Sequence, residues 1–279
     1  MVTWQADLHR PPLVNEQGDP LWELLVCDSE FQFSYGVTAP QGQISGDWVT
    51  DQLKIALQRS GVTPNQIQVF RPQALSLLTL AGESLGIAVV PCRQIPTLHR
   101  WLLQRAQWYP SLNNHTGLGY DPLHLDQPPP QPLPEALWGE QWRFAATSAA
   151  DFEQTLPYEP IPFRHLPPEL MPLALGLPST TPLPGLVIDA GRQALALGQW
   201  LQSVRPAGLT YLRGDPDGLI LSAGLVDRWV MTTFADPEVA TAGRLFEQRK
   251  AQSSGLHFLL VQPDDSGMTY TGLWLLRQQ

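Results

Sequence analysis

Lysine is scarce in this 279-residue chain. Lys54 and Lys250 are the only two lysines among 17 basic residues, set against 26 acidic ones, for a formal net charge of −9. That balance argues against a surface dominated by phosphate-binding cations, although a nearly neutral segment can still hold a local basic groove. The remaining basic residues are all arginine, whose planar guanidinium suits contacts to phosphates and bases. Cysteine is scarce too. Cys27 and Cys92 match neither a disulfide framework nor a metal-ligand spacing, and both fall in apolar runs, so they read as reduced core residues. No apolar run approaches the roughly 18 residues that mark a membrane span. The start, Met1-Val-Thr-Trp-Gln-Ala-Asp7, has the features of neither a signal nor a transit peptide, so the expected location is cytoplasmic.

Catalytic signatures are missing as well. There is no Gly-rich phosphate loop ending in Lys-Ser/Thr, no dinucleotide fingerprint, no His-Glu-x-x-His and no Gly-x-Ser-x-Gly elbow. The six histidines (His9, His99, His115, His124, His165 and His257) do not cluster in sequence. The expectation is a protein that is not an enzyme and needs neither cofactor nor metal.

What is present is a mixed α/β pattern, expected as two domains that each carry a mixed β-sheet covered by helices. In the first segment, 1–110, strands are expected at Trp4–Leu8, Leu21–Cys27 and Phe31–Val37. Ser45 or Asp47 can cap a helix that stops at Gly61, Ile67–Phe70 is a strand, and Pro72 opens a helix ended by Gly86. A strand at Ile87–Pro91 and a helix from Pro96 to about Trp108 complete the order β-β-β-α-β-α-β-α, which resembles the ribonuclease-H-like fold. In that fold a first-strand carboxylate helps to hold a metal, and Asp7 sits in that element. The expected helix and later strand offer only Asp51 or Glu83, and the strand neighbours Glu23 and Asp28 could approach Asp7, while the alternative reading pairs Asp7 and Glu23 with arginine or backbone groups at a sheet edge.

Residues 111–185 carry two basic and eight acidic residues, a balance of −6, against −2 for 1–110 and −1 for 186–279. With Gln127-Pro-Pro-Pro-Gln-Pro-Leu-Pro134 at its heart, this segment reads as an acidic, proline-rich connector packed on the domains. The last segment, 186–279, has the order α-β-β-β-α-β-β after a first strand and resembles a restriction-endonuclease-like core without its acidic signature. It closes on two runs, Leu256–Val261 and Thr271–Leu276, that are too apolar for half-exposed strands and are expected to form a hairpin buried on both faces.

For nucleic acid, the best local signal is the helix near residue 100. Arg100, Trp101, Arg105, Trp108 and Tyr109 mix cations with aromatic rings, a combination that can stack bases and hold phosphates, and Trp101, Arg105 and Trp108 share one helical face. Arg244, Arg249 and Lys250 form a second cationic group, before the closing hairpin. His257 lies inside an apolar strand, where a hydrogen-bonded core role competes with a catalytic one.

Trp4-Gln-Ala-Asp-Leu, Leu21-Trp-Glu-Leu-Leu-Val-Cys-Asp28, Gly255-Leu-His-Phe-Leu-Leu-Val-Gln262 and Thr271-Gly-Leu-Trp-Leu-Leu276 resemble the motifs of the Tab-two/Atab-two family. The resemblance spans nearly the whole chain and implies RNA binding in support of translation of photosystem reaction-centre messages, notably a photosystem I subunit. A cyanobacterial member is implied rather than a chloroplast precursor. Trp4, Asp7, Trp22, Glu23, His257, Phe258 and Trp274 match family motif positions of unknown role, and no catalytic residue carries over. A protein-binding photosystem assembly factor and a divergent metal-dependent nuclease centred on Asp7 are the two alternatives.

Overall fold

The computed structural model describes residues 2–278 as two compact units, Met1–Asp126 and Gln127–Gln279. The acidic middle is divided between them, residues 111–126 in the first unit and 127–185 in the second. Its first part closes the N-terminal unit, and the rest is woven into the sheets of the C-terminal one. No helix among the described residues is long and apolar enough to cross a membrane.

The N-terminal unit contains β1 (Thr3–His9), β2 (Leu21–Asp28), β3 (Ser34–Pro40), α1 (Gly46–Ser60), β4 (Gln66–Val69), α2 (Pro72–Leu85), β5 (Ala88–Pro91) and α3 (Pro96–Trp108). One five-stranded sheet runs β3-β2-β1-β4-β5, with β4 parallel to β1 and β5 parallel to β4, while β2 and β3 pair antiparallel. This is the mixed, helix-covered sheet that the ribonuclease-H-like order implies. The helix ends follow local chemistry. Ser45, not Asp47, caps α1 by accepting the Trp48 N–H at 3.1 Å, and Gly61 supplies the left-handed residue after it.

Because β1 is central, both of its faces are buried, and the period-2 alternation of a strand sorts its residues. Trp4, Ala6 and Leu8 pack with Leu53 and Ala56 of α1 and Leu78 of α2. Gln5, Asp7 and His9 occupy the opposite face, where Leu25, Phe70, Leu98 and Leu102 form the core beneath α3. Gln5 Oε1 accepts the Leu98 N–H at 2.8 Å and so fixes the start of α3 over that face.

The C-terminal unit contains β6 (Gln131–Pro132), β7 (Gln141–Ser148), α4 (Ala149–Thr155), β8 (Phe163–His165), β9 (Pro182–Asp189), α5 (Ala194–Val204), β10 (Pro206–Leu212), β11 (Asp217–Ala223), β12 (Asp227–Phe234), α6 (Pro237–Gln252), β13 (Leu256–Gln262) and β14 (Gly272–Arg277). It has two sheets rather than one: β7-β9-β13-β14-β8 and β10-β11-β12-β6. The terminal hairpin β13–β14 lies in the middle of the larger sheet, flanked by β9 and β8. Leu259, Val261, Trp274 and Leu276 face the α5 and β11 side, while Phe258, Leu260, Leu273 and Leu275 face the side of α4. Full burial of such side chains stabilises by about 1.5–3 kcal/mol each, which is why the sequence here is apolar on both faces. Gly185 on β9 lies opposite Phe258, and a Cβ there would overlap the phenyl ring.

Candidate nucleic-acid interface

Strand register brings the N-terminal polar residues together. Asp7 and His9 are two apart on β1, so they share a face, and His9 pairs across the sheet with Glu23 of β2. All three are buried, with exposures of 0%, 2% and 1% respectively. Arg71, just beyond β4, donates from Nε to Asp7 Oδ1 at 3.0 Å and from Nη2 to Oδ2 at 3.2 Å. Arg105 of α3 pairs with Glu23, and the Tyr109 hydroxyl donates to the same carboxylate. His9 Nε2 lies 3.2 Å from that hydroxyl. His9 Nδ1 lies 3.3 Å from Asp7 Oδ2, off the line needed for a hydrogen bond, so that contact is electrostatic.

Burial opposes every charge in this network, and the partners outweigh it. Desolvation would raise the Asp7 and Glu23 carboxyls, but His9 with Arg71, and His9 with Tyr109 and Arg105, hold them below the usual range. Desolvation would likewise neutralise His9, but the two carboxylates raise its pKa above the ordinary value. The arrangement is thus two carboxylates among three cationic groups. Asp7 and Glu23 sit in the middle of the sheet rather than at its edge, because β1 and β2 are interior strands.

This set does not fit a divalent metal. The Asp7 carboxylate already holds the Arg71 guanidinium, which a metal ion would have to displace. The described residues contain no group of three potential ligands placed to hold one.

A cavity of about 410 Å³ opens beside the network, lined in part by His9, Arg10, Trp22, Arg71, Gln73 and Tyr120. The loop 117–126 forms its wall. Arg71 ties that loop down by donating to the carbonyls of Pro122 at 2.8 Å and His124 at 3.2 Å, and Tyr120 stacks against His9 with ring centroids 6.3 Å apart.

The residues singled out on α3 divide. Arg100 is exposed, Trp101 is half-buried against Phe31 and Gly36, and Tyr109 is wholly inside, bonded to Glu23 and His9. Arg105 is pinned by Glu23 with its Cζ 4.5 Å from the centroid of the Trp108 ring, and Trp108 is 46% exposed. Trp22 lines the cavity, and its buried indole N–H has no acceptor. Trp4 stacks on Phe33 in the core.

In the C-terminal unit, Arg244 and Arg249 lie at the surface of α6, half-buried in the case of Arg249, but Lys250 does not. Its ammonium donates to the Leu209 carbonyl at 2.7 Å, to Glu247 at 2.8 Å and to Gln278 at 2.9 Å, over the Phe246 ring. His257 is a neutral pin: Nδ1–H donates to the Gly255 carbonyl at 2.8 Å and Nε2 accepts the Leu209 N–H at 2.9 Å. Burial, with Lys250 nearby, lowers its pKa to about 3. Phe258 and Trp274 are core residues. The sequence missed His9, Arg10, Arg71 and Tyr120. The available signal was the Asp7-x-His9 alternation on a strand buried on both faces, with Glu23 on the next strand.

The buried network thus holds the Arg105 guanidinium against the exposed Trp108 ring. Residues 3–105 match the family model described as "RNA-binding protein Tab2/Atab2 N terminal", and residues 120–277 match the model of the C-terminal domain of the same proteins. The chain belongs to this Tab2/Atab2 family of RNA-binding proteins. The second match begins at Tyr120, within the loop that walls the cavity. "Protein TAB2 homolog, chloroplastic" from Arabidopsis thaliana is 30% identical over 286 residues, covering 98% of this chain and 74% of that protein. The Zea mays protein of the same name is 30% identical over 281 residues, covering 98% and 70%. Among solved structures, a simian T-cell lymphotropic virus intasome in complex with a PP2A regulatory subunit, B56 gamma, aligns at 12% identity over 52% of this chain and 62% of that one. Its TM-score of 0.29 is too low to carry even the fold across.

Proposed function

We propose that the chain binds single-stranded RNA, specifically messages for photosystem reaction-centre subunits, and assists their translation in the cytoplasm without catalysing a reaction. The family description and the names of the chloroplast relatives support the direction of this reading. The observation that carries it is the end of α3. There Arg105, held from behind by Glu23, presents its guanidinium against Trp108, leaving an exposed indole on which a base can stack. Arg100 extends this face along the helix, and Arg244 and Arg249 form the lesser cationic surface of the other unit. Titration of the purified protein with single-stranded RNA at two salt concentrations tests it. Saturable binding at low salt is expected, weakening as salt rises with a slope of about −0.7 per neutralised phosphate. Absence of saturable binding at low salt would overturn the reading.

A second reading, a protein-binding photosystem assembly factor, draws on an apolar groove of about 630 Å³ in the C-terminal unit. Pro130, Leu133, Trp138, Trp142 and Met231 are among the residues that line it. Co-purification of translation or assembly proteins that survives ribonuclease treatment would favour it over direct RNA contact.

A further inference from the structure

The N-terminal cavity has the chemistry of a small anionic ligand site. It is lined by three cationic groups, His9, Arg10 and Arg71, and by two aromatic side chains, Trp22 and Tyr120. Asp121 is the one carboxylate among the lining residues, and its Oδ1 already accepts the Leu123 N–H at 3.0 Å. Asp7 and Glu23, behind the wall, are neutralised by Arg71 and Arg105. One buried N–H group of a lining residue lacks a hydrogen-bond acceptor, the indole Nε1–H of Trp22, whereas both ring nitrogens of His9 face the carboxylates of Asp7 and Glu23. Buried donors are nearly always satisfied, and this one is open to a water or to an acceptor on a ligand in the cavity. A volume of about 410 Å³ lies at the small end of ligand pockets, which run from about 300 to 1,000 Å³, and excludes a duplex.

We propose that this cavity takes one nucleoside monophosphate unit, its phosphate oxygens meeting Arg10 and the Trp22 N–H and its base lying against Tyr120. Gln73, exposed at the first turn of α2, borders the site with an amide that can donate to and accept from a base edge. Arg71 is committed to Asp7 and the loop carbonyls, so its role is to shape the wall. The inference rests on the RNA-binding reading of the same unit and names the chemical unit that is recognised. That unit can come from a free mononucleotide or from a nucleotide within an RNA strand, and the two sources share one pocket chemistry.

The test uses the full chain and follows tryptophan fluorescence or heat on addition of adenosine 5′-monophosphate, adenosine, inorganic phosphate and a single-stranded RNA decamer. Saturable binding of the monophosphate, at least about tenfold tighter than either half alone, is expected. Arg10→Glu, at an exposed side chain, and Trp22→Phe, which keeps a ring but removes the N–H, should each weaken it about tenfold. Lys54→Ala, on α1 and paired only with Asp51, should leave it unchanged. The monophosphate should compete with the decamer. No binding of the monophosphate, or binding indifferent to both variants, would overturn the proposal. If the decamer still bound in that case, the RNA reading would stand without the pocket. If the monophosphate bound through Arg10 and Trp22 while the decamer did not, the pocket would be a free-nucleotide site and the RNA reading would fall.

Discussion

Each unit buries a histidine in a strand of its sheet, and the two behave in opposite ways. His9 is flanked by Asp7 and Glu23, and its pKa rises in spite of burial. His257 is flanked by a backbone carbonyl, a backbone N–H and Lys250, and its pKa falls to about 3. Burial is the largest single influence on both, so the neighbours decide the sign. A buried histidine whose pKa is raised requires carboxylate neighbours, and here that network ends at a cavity and an exposed indole. A buried neutral histidine needs only two backbone partners, and it holds β10 to β13. The first arrangement resembles a functional site; the second is architecture.

The largest way to disturb this contrast is to remove a carboxylate from the network. Asp7→Ala removes the carboxylate that Arg71 and His9 share, leaving two largely buried positive groups around Glu23 alone, and a loss of about 3–5 kcal/mol is expected by urea denaturation. A change below about 1 kcal/mol would mean that the network is not a buried charged unit. His257→Ala comes next. It orphans the Leu209 N–H and the Gly255 carbonyl and leaves a void, at a cost of about 2–3 kcal/mol that should not depend on salt.

The pH dependence separates the two histidines with a smaller effect. His257 is neutral in the folded chain and charged when unfolded below its ordinary value of 6.5. Its contribution to stability is therefore complete above pH 6.5 and lost as pH falls from there towards 3. The sign is reversed for His9, whose contribution is complete below pH 6.5 and lost as pH rises through its higher folded value. Asp7 and Glu23, with lowered values, lose theirs only as pH falls below the ordinary carboxylate range. Thermal melts between pH 7 and 5 should thus fall for the natural chain and flatten for His257→Gln, whereas His9→Gln should flatten the alkaline limb instead. Equal flattening of the acid limb by both variants would break the distinction.

Much of the fold could be read from residue pattern, because apolar alternation and helix-stop glycines act locally. The buried hairpin followed from Leu259, Val261, Leu273 and Leu275, and α1 and α2 from their glycine stops. The site could not be read, because it depends on register: only the pairing of His9 with Glu23 turns three scattered residues into one cluster. Long-range contacts then bring Arg71 and Arg105 to it. The strands within the proline-rich middle were hard to see for a physical reason. β6 and β8 are edge strands of two and three residues, where proline is tolerated and no alternation has room to show. Lys250 was legible after all, since it lies four residues after the inward-facing Phe246 and so shares its helix face.

The most direct measurement is the affinity for single-stranded RNA of Trp108→Ala and Arg10→Glu in the N-terminal unit against Arg244→Glu with Arg249→Glu in the C-terminal one, all at the same low salt. The N-terminal changes should weaken binding about tenfold each, and the C-terminal pair by no more than about threefold. The reverse order, with the C-terminal pair abolishing binding and Trp108→Ala leaving it intact, would contradict the placement of the RNA site beside the His9 network.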